Sequence, residues 1–156
     1  MDLTINIDEY KLNIRAACII KHNNKILFHK CKDKDYYCFI GGRVEIGENS
    51  EETIKREIKE ELGKEIEITG YISTIENFFT EDNFKYHEYM FLYEAEFKEE
   101  KDKLIEETLD NIEGKEYLKY YWLDTRKLDE YDIKPKVIKN ILKENKYPIH
   151  KINIDK

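Results

Sequence analysis

Glu57, Glu60 and Glu61 fall within five consecutive positions, and Arg56 directly precedes the first of them. On a helix these carboxylates project within a sector of about 100°. Like charges at this spacing destabilise a helix by roughly 0.2–0.5 kcal/mol per pair. Ile54, Ile58 and Leu62 adjoin that sector, so the acids border a buried stripe instead of pointing straight away from it. Half-burial would raise their proton affinity as well. A hard divalent cation relieves both stresses. Carboxylate oxygens suit Mg²⁺ or Mn²⁺, which keep several waters and are completed by substrate phosphates. Arg56 is placed to pair with one carboxylate and hold its rotamer. The same triad also reads as a solvated acidic face, because the chain holds 23 Glu with adjacent pairs at 51–52, 99–100 and 106–107. On spacing alone the two readings stand level.

The elements that must position the triad are readable nearby. Asn49 with Glu52 fits a capping box, and Ser50 is a second capping candidate. Ile54, Ile58 and Leu62 recur every four residues, and Gly63 sits where a helix end wants a left-handed residue. The pattern predicts a helix over 50–62. Upstream, "LNIRAACII" (12–20) and "KILFHK" (25–30) flank the turn-like "KHNN" and predict a hairpin. "YYCFI" (36–40) predicts a strand ended by Gly41-Gly42. Downstream, 65–80 and 85–97 read as strands around the turn "EDN". The charged segment 98–116 reads as a surface loop or short helix, and 116–124 as a further strand. The stretch 134–146 reads as an amphipathic helix with Pro135 near its start and Val137, Ile138, Ile141 and Leu142 inward. The last ten residues form a tail with no assigned element. The order β-β-β-α-β-β-β-α predicts an α/β fold with a mixed sheet and helices.

The residues around the triad carry a resemblance. Gly42, Glu48, Arg56, Glu57, Ile58, Glu60, Glu61 and Gly63 match the Nudix hydrolase signature: Gly, five residues, Glu, seven residues, then Arg-Glu-apolar-any-Glu-Glu-any-Gly-apolar. At this chain's own residue frequencies, chance agreement at all eight positions is roughly one in a million, which makes it a strong short motif. The one departure is Lys64, where the family places an apolar residue at the helix exit. The flanking strands also look like those of the family, so the resemblance covers about residues 12–145 of one domain spanning 1–156. It implies the Nudix α/β/α sandwich, a mixed β-sheet between helices.

The resemblance also implies a reaction. Nudix enzymes hydrolyse a nucleoside diphosphate linked to another moiety, by water attack on phosphorus with divalent cations neutralising charge. Carried onto this chain, Glu57 and Glu61 become metal ligands and Glu60 a ligand or general base. Arg56 orients Glu57, Gly42 lets the backbone approach, and Glu48 supports the loop before the helix. Some members add a glutamate from a later loop, for which Glu116 is the first candidate, with Glu113 and Glu88 behind it. Arg15 and Arg43 are candidates for phosphate contact. Tyr37, Phe39, Phe78, Phe79 and Tyr86 could stack on a base, although packing roles explain each of them too. The Pro that often marks ADP-ribose enzymes and the Tyr that often marks diadenosine polyphosphate enzymes are absent from "NFFTEDN" (77–83). Nucleoside triphosphates, nucleotide sugars and RNA 5′ ends stay in contention. The competing class is a Nudix-fold binding module without hydrolysis, which normally goes with lost motif carboxylates. All are present here. A metal-dependent prenyl-diphosphate isomerase would need further Cys and Glu machinery, which the sequence lacks.

Composition bounds the setting. A net charge of −7 argues against long nucleic acid and anionic membrane as partners, and the resemblance implies a small nucleotide substrate. No apolar run approaches 18 residues, and the N-terminus lacks a secretory pattern, so a cytoplasmic location is expected. Cys18, Cys31 and Cys38 lack ligand spacing and read as thiols in a reducing compartment. His22, His29 and His150 read as surface residues. Homodimers are common in the family, and no residue here shows one.

Overall fold

The structure is a computed structural model and describes residues 1–100, 108–144 and 148–155. The helix α1 spans Ser50–Leu62, as its pattern predicts. Asn49 Oδ1 accepts from Glu52 N while Glu52 Oε2 accepts from Asn49 N, both at 3.0 Å, which satisfies two orphan donors at once. Gly63 ends the helix at φ +67°, a conformation that costs other L residues about 1 kcal/mol or more. Ile54 and Ile58 are fully buried. Such burial contributes about 1.5–3 kcal/mol each.

What α1 packs on is a mixed sheet. Its strands are β1 (Thr4–Ile7), β2 (Tyr10–His22), β3 (Lys25–Cys31), β4 (Tyr37–Arg43), β5 (Ile66–Glu81), β6 (Phe84–Phe97), β7 (Thr108–Asp110), β8 (Leu118–Asp124), β9 (Ile133–Lys134) and β10 (Ile149–Ile154). The spatial order is β10-β5-β6-β2-β4-β3-β8-β7, with β1 beside β2 and β9 beside β4. Both faces are covered, which explains the near-continuous apolar run in β2. Ala16, Cys18 and Ile20 face the core shared with α1. Ala17 and Ile19 face a second core shared with Ile138 and Ile141 of α2 (Ile138–Glu144). Period-two alternation thus splits one strand between two cores.

Several expectations change. The 12–30 hairpin holds over only two residue pairs, Lys21↔Ile26 and His22↔Lys25. Beyond them β2 and β3 diverge, each to pair with β4. β4 does not stop at the glycines but runs through Gly41 and Gly42 to Arg43. There β2 approaches closely: a Cβ on Gly41 would stand 2.0 Å from the Ala16 carbonyl oxygen, so only a bare backbone fits. The second helix starts later than the apolar pattern suggests, at Ile138 with Pro135 ahead of it; positions 145–146 lie outside the described residues. The tail holds a strand, since Ile149–Ile154 pairs in parallel with β5. Of the charged segment 98–116, positions 101–107 lie outside the described residues, and 108–110 form β7. Among the described residues no helix is long and apolar enough to cross a membrane.

Candidate active site

Arg56 is the hub of the loop before α1. Its Nε and Nη2 donate to the two carboxylate oxygens of Glu48 at 2.8 and 3.0 Å, a forked pair. Nη2 also donates to the Arg43 carbonyl at 3.2 Å. Nη1 donates to Glu57 Oε1 at 2.9 Å and to Glu60 Oε2 at 3.2 Å. Glu48 further accepts from Thr53 Oγ1 at 2.7 Å and from Glu45 N at 3.2 Å. The Arg56 guanidinium holds the Glu48 carboxyl down at about 2, against the opposing effect of burial. One guanidinium therefore ties the end of β4, the loop and the first turns of α1 into a single frame.

Gly42 makes room for Glu57. A Cβ there would stand 2.0 Å from Glu57 Oε1, so the carboxylate lies directly over bare β4 backbone. One helical turn on, Glu61 is only 3% exposed. It accepts from Tyr120 Oη at 2.8 Å, and Lys115 Nζ stands 3.6 Å away. Asn111 Nδ2 donates to the same Tyr120 hydroxyl at 3.0 Å. Asn111 Oδ1 accepts from the backbone of Glu113 and Lys115, and Ile112 N donates to the Glu61 carbonyl at 2.8 Å. The 111–115 loop is thereby pinned to the end of α1. Burial raises the Glu61 carboxyl above the ordinary range, opposed by the Tyr120 hydrogen bond and assisted by the Glu57 charge.

Glu57 and Glu61 open on a cleft of about 940 Å³. Its walls carry both charges: Arg15, Arg43 and Lys115 beside Glu57, Glu61 and Glu88. Arg15 Nη2 donates to the Gly41 carbonyl at 3.1 Å. Arg43 lies at the rim, paired with Asp2 at 3.2 Å. Of the expected site residues, Gly42, Arg43, Glu57 and Glu61 meet at this cleft, with Glu48 and Arg56 bracing them from behind. Glu60 is 43% exposed, pairs with Arg56 and does not line the cleft. Glu116 is exposed and does not line it either. Its neighbour Lys115 does, and so does Glu88, 5% exposed on β6.

Among the described residues, no three His, Cys, Asp or Glu side chains converge as a ready-made metal cluster. The donor chemistry still fits a hard cation. Two carboxylates one turn apart offer oxygen donors to the cleft, and Glu57 lies over backbone where a Cβ would obstruct it. Mg²⁺ needs only one or two carboxylates, with waters and phosphates as its other ligands.

His29 differs from its expected surface place. It lines the cleft, and its Nδ1 is buried without a hydrogen-bond partner among the described residues. Burial, with the charges of Arg15 and Lys115, pushes its pKa down to about 3. Phe79 alone of the aromatic pair Phe79–Tyr86 lines the cleft. The two rings stack at 4.6 Å and 7°. Phe39 also lines it, but is 2% exposed and stacked on Phe28. Lys115, Tyr120 and Asn111 escaped the sequence reading. A loop has no period, and nothing local tells that the Tyr120 hydroxyl meets a carboxylate 59 positions away.

Comparison with known proteins gives matching results. A model of the NUDIX domain matches residues 12–142. The fold resembles a NUDIX hydrolase from Nitrosomonas europaea (TM-score 0.64, 20% identity, 90% of this chain and 78% of that one). It also resembles a UDP-X diphosphatase (TM-score 0.63, 17% identity, 88% of this chain), of which it spans 66%, just under two thirds. An ADP-ribose pyrophosphatase from Streptococcus suis is similar as well (TM-score 0.62, 12% identity, 89% of this chain and 98% of that one). No curated protein matches the chain.

Proposed function

We propose that this chain, which belongs to the Nudix family, hydrolyses the pyrophosphate linkage of a nucleoside diphosphate derivative with the help of Mg²⁺ or Mn²⁺. The observation that carries the reading is the pair Glu57 and Glu61 on one wall of the cleft, with Gly42 bare beneath Glu57. Glu57 and Glu61 would hold the cation. When bound, a divalent cation neutralises the pyrophosphate and makes phosphorus open to water attack.

The chain's own residues supply the positioning. Arg56 holds Glu57 by its Nη1 and the preceding loop through Glu48. Tyr120 fixes Glu61 by donating to it. Arg15, Arg43 and Lys115 bring positive charge to the same cleft, suited to phosphate oxygens. Glu60 stays in the proposal as a ligand or general base, and must leave Arg56 to take that role. Glu116 would have to turn inward from an exposed loop to join the site.

The test is a panel of nucleoside triphosphates, nucleotide sugars, dinucleotides and capped or triphosphorylated RNA, assayed with Mg²⁺ or Mn²⁺. Hydrolysis of at least one compound, abolished by chelator, is expected. Activity that survives chelation sinks the mechanism. Nucleotide binding with silence across the panel would favour a binding module.

A further inference from the structure

A row of polar side chains crosses the sheet beneath the cleft. In register, Thr4 faces Asn13, Asn13 faces Glu88, Glu88 faces Asn77, and Asn77 faces Asn153. Directly opposed residues share a sheet face, so the row runs over five strands on one side. Asn13, Asn77, Glu88 and Asn153 are each at most 6% exposed. The end residues are well supplied. Thr4 Oγ1 donates to Asn13 Oδ1 at 3.1 Å, and Val137 N donates to Asn153 Oδ1 at 3.2 Å. Asn153 Nδ2 donates to Asn77 Oδ1 at 2.8 Å, and Asn77 Nδ2 donates to Glu88 Oε1 at 3.3 Å.

Glu88 is the poorly supplied member. Among the described residues its carboxylate receives that one long bond from a neutral amide, and no cation stands within ion-pair distance. Buried carboxylates are ordinarily paired, because an isolated one costs stability. An apolar residue would fill this place at lower cost. Yet Glu88 and Asn77 both line the cleft, where a ligand can supply the missing donors.

The neighbouring rows give the row its meaning. Two residues along β5 lies Phe79, on the cleft wall. Two residues along β2 the other way lies Arg15, followed by the Gly41–Gly42 backbone that faces Ala17 and Ala16. Phe79, Glu88 and Arg15 thus succeed one another along the sheet face shared with α2, and the cleft joins them to the Glu57–Glu61 pair on α1.

We propose that Glu88, braced by Asn77, determines specificity by accepting a pair of adjacent N–H or O–H donors from the non-phosphate part of the nucleotide. The inference rests on the Nudix reading only for its direction, with phosphates toward Glu57 and Glu61. An ionised carboxylate accepts and never donates, and takes two neighbouring donors at once. Two nucleotide groups present such pairs: the N1–H and N2–H₂ edge of guanine, and the vicinal diol of ribose. A group that offers a lone pair there, such as adenine N1, is repelled.

Binding without turnover tests it. Calorimetry with GMP, IMP, AMP and 2′-deoxy-AMP is run on wild type, Glu88→Gln and Asn153→Ala without added metal. If guanine is the group, GMP binds at least about 10-fold more tightly than AMP, with IMP between. If the diol is the group, AMP exceeds 2′-deoxy-AMP by a similar factor. In either case Glu88→Gln erases the preference while melting at the same or a higher temperature. Asn153→Ala, which does not line the cleft, erases part of it. Equal affinities in wild type and Glu88→Gln, or no binding of any of the four to wild type, overturn the proposal. So does loss of Mn²⁺ binding in Glu88→Gln, which would make Glu88 a metal ligand. Failure of hydrolysis alone would overturn the proposed reaction and leave this site standing.

Discussion

At Gly42 the lack of a side chain is what lets Glu57 lie over β4, since an added Cβ would stand 2.0 Å from its Oε1. Gly42→Ala should displace that carboxylate and cut hydrolysis by about 100-fold or more, with an unchanged far-ultraviolet spectrum. Wild-type rates in the alanine variant would show that Glu57 does not need its present seat. Glu60 faces Arg56, so Glu60→Gln should cost less activity than Glu57→Gln or Glu61→Gln, and a larger loss would place Glu60 nearer the chemistry. His29 gives a pH signature. Its folded pKa of about 3 lies below the ordinary 6.5, so the unfolded chain binds the proton more readily between those values. The stability it contributes is complete above pH 6.5 and is lost as pH falls toward 3. Melting curves of His29→Gln between pH 4 and 7 should be flatter than those of wild type. The acid triad was legible as residue types at fixed offsets. Glu88 was only a lesser candidate and Lys115 none, because burial of one and the inward turn of the other depend on strands distant in sequence.

At the scale of elements, α1 is where local chemistry decides most. Asn49→Ala removes the reciprocal cap and should lower stability by about 1 kcal/mol, read as a shift in the denaturant midpoint. An unchanged midpoint would mean that the packing of Ile54 and Ile58 alone holds the helix end. The helix was readable to its limits because cap, four-residue stripe and terminal glycine agree. Strand partners were harder. The 12–30 hairpin looked like a simple pair, yet β2 takes β6 as its parallel neighbour, a choice set by long-range register that no local pattern records. β4 runs through Gly41–Gly42 because the β2 backbone lies close against the one and Glu57 over the other, so the glycines that usually break a strand here thin it. The tail strand β10 was hidden for the same reason: Asn153 looks polar and exposed until Asn77 is set against it.

For the whole molecule, a net charge of −7 coexists with a cleft that gathers Arg15, Arg43 and Lys115 beside its carboxylates. That division suits a polyanion bound through both its own charges and a cation. Lys115→Met should raise KM about 10-fold with a smaller effect on kcat, since one charged hydrogen bond is removed. A loss confined to kcat would instead place Lys115 at the reacting phosphate. In the proposed reaction Glu57 and Glu61 act together to hold the cation against a pyrophosphate. The most direct test is the steady-state hydrolysis of the best panel substrate in Mg²⁺ by wild type and by Glu57→Gln, with folding checked by thermal melt. A folded variant slower by about 100-fold or more is expected. A folded Glu57→Gln that hydrolyses the substrate at the wild-type rate would contradict it.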